Sequence, residues 1–132
     1  MIVLDEQIQG AHIREPIESW YKGQVISVRS LRRQTTIQDD AVPMLLRTVA
    51  VPTFVTINVI DFWQRVNAER SFAIVCIELP GGRAFETPFW LRRLFALPQF
   101  KTKAKRMGMI ALLRATRIEY YRQDHNIKTI EW

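Results

Sequence analysis

Apolar and polar positions fall along this chain in blocks. MIVLDE, QVISVRSL, PTFVTIN and SFAIVCIEL are short runs of β-branched and aromatic residues, apolar at successive positions. That pattern suits strands buried on both faces of a parallel sheet. Between them the spacing turns helical. REPIESWYKG places Pro16 in a first helical turn, sets Ile17, Trp20 and Tyr21 on one side, and meets a stop at Gly23. IQDDAVPMLLRTV offers Asp39 or Asp40 as N-cap, Pro43 in the first turn, and an apolar face of Met44, Leu45, Leu46 and Val49. DFWQRVNAER reads as a short helix capped by Asp61. After the turn PGG, Thr87-Pro88 opens a helix, PFWLRRLFAL, that ends before Pro98. MGMIALL and TRIEYYR are two further strands separated by RAT, and NIKTIEW follows the turn QDHN.

The alternation of strand and helix predicts the α/β class. The expected architecture is a three-layer, Rossmann-like sandwich with a mostly parallel central sheet, right-handed crossovers and a C-terminal β-hairpin. With no internal repeat and no linker, residues 1–132 are expected to form one domain. No apolar run approaches the ~20 residues of a membrane helix, so a cytoplasmic protein with no membrane partner is expected. Cys76, the single cysteine, lies mid-strand in FAIVCIEL, which permits no internal disulfide and makes a poor nucleophile.

Charge sharpens the picture. The formal net charge is +6, and residues 92–132 hold ten Lys or Arg against three Asp or Glu, a net of +7. A solvated loop explains KTKAKR as it stands. A polyanion-facing surface explains it too, because clustered cations gain by releasing counterions from a phosphate backbone. Lys101, Lys103, Lys105 and Arg106 are the candidate RNA contacts.

The acids are placed by the strand pattern. Ligands of an open parallel sheet bind beyond the carboxyl ends of the strands. Asp5 and Glu6 follow the first strand, Asp39 and Asp40 follow the second, and Asn58 and Asp61 follow the third. Oxygen-only donors on one edge suit a hard cation such as Mg²⁺. Capping accounts for Asp39, Asp40 and Asp61 singly, at ~1 kcal/mol each. It does not account for Asp5, which has no helix directly after it in this reading.

The residues IVLDEQ, QDDAV ahead of a helix, FVTINVIDF and FAIVCIELP resemble the PIN-like group of small bacterial proteins, relatives of the PIN-domain toxin nucleases. That family's strands end in Leu-Asp-Glu-Asn and in Thr-x-Asp followed by Asp-Phe, and an acidic pair opens a helix between them. The likeness covers nearly the whole chain, including GMIALLRATRIEYYR at the family's hairpin. It implies a metal-dependent ribonuclease, the toxin of a toxin–antitoxin pair, with Mg²⁺ or Mn²⁺ as cofactor and RNA and an antitoxin protein as partners. Catalysis would fall to Asp5, Asp40 and Asp61. The metal would be held within the set Asp5, Glu6, Asp39, Asp40, Asn58 and Asp61, with either Asp39 or Asp40 as the equivalent of the family's acid. The departures are Asn58, where the family has aspartate, Gln7 in place of Asn, one extra residue in NVID, and the longer QIQGAHIREP. They open a second reading, a catalytically silent module of the same fold that binds RNA or regulates.

Rival chemistry finds no motif: there is no G-x-S-x-G, P-loop or G-x-G-x-x-G, and His12 and His125 read as loop residues. Trp20, Phe62, Trp63, Phe89, Trp90 and Phe95 read as core. Trp132 is the exception, a terminal aromatic expected at an interface such as a homodimer's.

Overall fold

The computed structural model describes residues 1–32 and 39–132. The first two residues of the predicted segment IQDDAVPMLLRTV lie outside the described residues. One seven-stranded sheet takes in β1 (Ile2–Leu4), β2 (Val25–Ser27), β3 (Thr53–Thr56), β4 (Ala73–Ile77), β5 (Ile110–Leu113), β6 (Arg117–Tyr121) and β7 (Lys128–Glu131). Their order is β2-β1-β3-β4-β5-β6-β7. The first five pair in parallel, and β5–β6 and β6–β7 are antiparallel. The predicted α/β class, mostly parallel sheet and C-terminal hairpin are all present.

Both faces are covered, which is why β1, β3, β4 and β5 are buried at every position and apolar at all but Thr53 and Thr56. Helices α1 (Ala11–Glu18) and α4 (Thr87–Phe95) bury Ile13, Ile17, Trp90, Leu91 and Leu94 against Leu4, Val55 and Val75. On the other face α2 (Val42–Leu46) and α3 (Val59–Phe62) bury Val42, Leu46 and Phe62 against Val3, Phe54 and Ile74. The chain crosses from β1 to β2 and from β4 to β5 in opposite directions, yet both connecting helices share one face. Those two crossovers therefore have opposite hands, and the expectation of uniformly right-handed connections fails for one of them.

Several local expectations are corrected. Pro16 sits inside α1, which starts after Gly10 and carries His12, while Trp20 and Tyr21 lie beyond its end. The predicted second strand stops at Ser27, whose hydroxyl accepts the Arg29 N–H and opens a 3₁₀ turn over Val28–Leu31. The PGG turn continues into 3₁₀ backbone over Gly81–Glu86. The helix predicted over DFWQRVNAER ends at Phe62. Trp63 turns extended to pack on Tyr121, with ring centroids 5.2 Å apart, and Gln64 takes a left-handed φ of 59°. Phe89, expected in the core, is 69% exposed, because α4 turns Trp90, Leu91 and Leu94 inward instead.

Trp132 is not a free interface anchor. Its indole N–H donates to the Arg114 carbonyl at 2.8 Å, its ring meets Trp90 at 5.9 Å, and the Arg93 guanidinium lies 4.1 Å over it. Among the described residues no helix is long and apolar enough to cross a membrane.

Phe54 is wholly buried and packs on Phe62 at 5.1 Å between ring centroids. Phe54→Ala should cost about 3–5 kcal/mol in urea unfolding. Phe89→Ala should stay within about 0.5 kcal/mol of the parent, as a surface change.

Candidate functional site

The sheet order places β1 between β2 and β3, so the chain reverses its direction of travel at β1. A crevice forms at such a reversal, beyond the carboxyl ends of the two strands on either side of it. Register fixes what stands there. Leu4 pairs with Val55, and the Asp5 N–H donates to the Val55 carbonyl at 3.0 Å, bringing Asp5 alongside Thr56.

Asp5 is 6% exposed and doubly held. Its Oδ1 accepts the Glu6 N–H at 2.8 Å and its Oδ2 accepts the Thr56 hydroxyl at 2.6 Å. A 3₁₀ turn over Glu6–Ile8 does follow β1, and Asp5 caps it, so capping explains part of what the sequence left unexplained. Thr56 also accepts the Asn58 N–H at 2.9 Å. One buried hydroxyl thus ties the acid of β1 to the amide that follows β3.

Asn58, not Asp61, caps α3. Its Oδ1 accepts the Asp61 N–H at 3.3 Å. The same side chain turns its Nδ2 toward both remaining acids, donating to Asp39 Oδ2 at 3.0 Å and Asp61 Oδ2 at 2.8 Å. Asp39 and Asp40 lie in a 3₁₀ turn over Asp39–Ala41, and the N-cap of α2 is Ala41, so neither carboxylate caps that helix. Between them the geometry chooses Asp39 as the acid that joins the cluster. Asp40 is exposed, lining the adjoining cleft.

The charges couple. Loss of solvent pushes the Asp5 carboxyl above its ordinary value, against the hydrogen bonds from Thr56 and Glu6, and the Glu6 charge adds to the rise. Asp39 is pushed up from 3.8 to about 6 by loss of solvent, by its hydrogen bond with Asp61, and by the charges of Asp5, Asp61 and Glu6. Asp61 is drawn below its ordinary value by the Asn58 amide and by Asp39. Two carboxylates held this close resist ionising together, so the pair titrates as a unit, with Asp39 the member pushed up.

A cleft of about 760 Å³ opens from this pair, walled by Asp39, Asp40, Asp61 and Glu69 with Arg47, Arg65 and Asn67, and by Pro43, Met44 and Val66. Arg47 is spent on a bidentate pair with Glu69. Arg65 is exposed and its charge acts on Asp61. Neither Thr56 nor Arg65 was singled out by the sequence. Thr56 stood inside the Thr-x-Asp pattern, while Arg65 needed the observed ending of α3 to be placed.

The basic candidates stand elsewhere. Helix α5 (Lys103–Arg106) leads into β5, so Lys101, Lys103 and Lys105 lie at the amino ends of the parallel strands, opposite the acids. Arg106 is only 4% exposed. It donates to the carbonyls of Phe100 and Lys101 at 2.9 and 3.1 Å and covers the Phe95 ring at 3.8 Å. Burial pulls its guanidinium below the usual range, and it is a packing residue, not an RNA contact.

Among the described residues no group of three or more His, Cys, Asp or Glu is arranged to hold a metal ion. No family model, curated protein or solved structure matches this chain, so a functional reading rests on the residues themselves.

The raised Asp39 carboxyl has a pH signature. With Asp39 raised from 3.8 to about 6, the folded chain holds a proton across that window which the unfolded chain has released. This group's contribution to stability therefore falls as pH rises from about 4 to about 6. Asp61→Asn should bring the Asp39 carboxyl carbon titration, followed by NMR, down toward its ordinary midpoint and flatten that fall.

Proposed function

We propose that this chain is a metal-dependent ribonuclease of the PIN-like type, working at the carboxyl ends of β1 and β3 with one divalent cation. The observation that carries the reading is the convergence of Asp39 and Asp61, from separate segments, on one amide at the crevice where the sheet reverses. Two carboxylates close enough to titrate as a unit are also close enough to share a cation.

The donor set fits Mg²⁺ or Mn²⁺. It is all oxygen, and Mg²⁺ is usually held by one or two carboxylates with several waters retained. Asp39 and Asp61 would hold it. A cation bound there supplies Lewis acidity to the phosphodiester. Asp5 would act at one remove, because both its oxygens already accept hydrogen bonds from the Glu6 N–H and Thr56. Through Thr56 it fixes Asn58, and Asn58 sets the spacing of the two ligands. Asp40 and Glu6 would add negative charge nearby without ligating. Arg65, whose charge acts on Asp61 and which, among the described residues, is not engaged as Arg47 is, would meet an RNA phosphate in the cleft. Lys101, Lys103 and Lys105 would attract the polyanion from the opposite strand ends, steering the RNA without holding the scissile bond. Such a nuclease would be the toxin of a pair, held in check by an antitoxin protein and acting in the cytoplasm.

One observation favours the silent module. The Asn58 amide donates to both carboxylates and so already does a cation's work between them. The two readings separate on Asn58→Asp. In the nuclease, Mn²⁺ stabilises the parent protein against heat by about 1.4 kcal/mol at roughly ten times Kd. The parent breaks down RNA, and Asp61→Ala abolishes both effects. In the silent module the parent shows neither effect, and Asn58→Asp alone gains the Mn²⁺ response.

A further inference from the structure

A second cavity, of about 200 Å³, lies between Gln64, Val66, Asn67, Tyr121, His125 and Ile127. Val66 and Asn67 also wall the acid cleft, so the two spaces share a partition. Their chemistry differs. The cleft carries four carboxylates and two guanidiniums, whereas the smaller cavity has no carboxylate, lysine or arginine in its wall. It offers instead the side-chain amides of Gln64 and Asn67, the imidazole of His125, and the apolar surfaces of Val66 and Ile127. Its volume is below the ~300 Å³ at which sites for drug-sized ligands begin, and it suits one planar ring.

The cavity is also built. Tyr121 donates its hydroxyl to the Val66 carbonyl and packs its ring, tilted, on Trp63, which fastens the loop after α3 to β6. Gln64 and His125, both in the wall, hold left-handed φ angles of 59° and 62°. Side chains other than glycine adopt that backbone only at a cost, and such strain collects at ligand sites. Ile127, half exposed at 48%, leaves an apolar surface at the mouth.

We infer that this cavity receives a single nucleobase of an RNA strand whose phosphate lies in the acid cleft. An unstacked base is recognised by stacking on a flat surface and by hydrogen bonds to its polar edge, and amides that both donate and accept suit that edge. The inference rests on the reading of the cleft as the place where RNA is held, and it adds base preference to that reading. Val66 and Asn67 stand between base and phosphate.

The four ribonucleosides test it, because they carry no phosphate for the acids to repel and need no metal. Titrated into ¹⁵N-labelled protein, they should shift the amide signals of residues 64–67 and 125–127, with one nucleoside preferred. Asn67→Ala, and Gln64→Gly, which the left-handed backbone accepts, should each weaken the preferred nucleoside about fivefold, the net worth of one hydrogen bond. Absence of shifts in those two segments, or unchanged binding by both variants, overturns the inference. Cleavage of RNA by a protein that ignores nucleosides overturns it too and leaves the cleft reading intact. Nucleoside binding of this pattern in a protein that never cleaves supports the inference and sinks the nuclease.

Discussion

The Thr56 hydroxyl, wholly buried between β1 and β3, is the contact on which the site depends. It gives its proton to Asp5 and receives the Asn58 N–H, so a single oxygen satisfies two groups that would otherwise be stranded at a strand end. A buried polar group without a partner costs about 1–3 kcal/mol, which makes the arrangement hard to relax. It exists because parallel pairing sets Leu4 against Val55, and a slip of one residue would turn Thr56 to the other face. From there order passes outward. Asn58 caps α3, the cap places Asp61, and the amide gathers Asp39 from the turn before α2.

Electrostatics divide the molecule along its strands. Acids collect at the carboxyl ends of β1 and β3, while Lys101, Lys103 and Lys105 stand at the amino ends. Of the +7 in residues 92–132, these three lysines reach the acids only as a long-range field, while Arg114 and Arg117 flank the β5–β6 turn on the carboxyl-end edge. Part of that charge is consumed inside the fold. Arg106 anchors carbonyls, Arg93 covers Trp132, and Arg114 pairs with Glu78 and Glu119. A count of charges along the chain cannot distinguish a cation facing solvent from one turned onto a ring.

What the sequence revealed follows the same division between local and tertiary causes. The strands were legible because burial on both faces leaves an unbroken apolar run, as in IVL and AIVCI. The edge that carries the acids was legible from chain order, since every carboxyl end of a parallel sheet points one way. Helix ends were not. Asn58 and Asp61 both suit a cap, and only the turn into α3 decides for Asn58. Trp63 has helical spacing, yet its ring partner Tyr121 is 58 residues away, and packing on it takes Trp63 out of the helix. Asp39 and Asp40 are equal by sequence and are told apart by which one reaches Asn58.

The central claim is that Asp39 and Asp61 are drawn together to hold a cation, with Asn58 bridging them when none is bound. Crystals soaked in MnCl₂ test it most directly, through anomalous scattering at the manganese edge. The account predicts one peak within ligand distance of Asp39 and Asp61, accompanied by movement of the Asn58 amide nitrogen away from both carboxylates. An occupied lattice with no peak there, and the amide still bridging the two acids at high Mn²⁺, would contradict it.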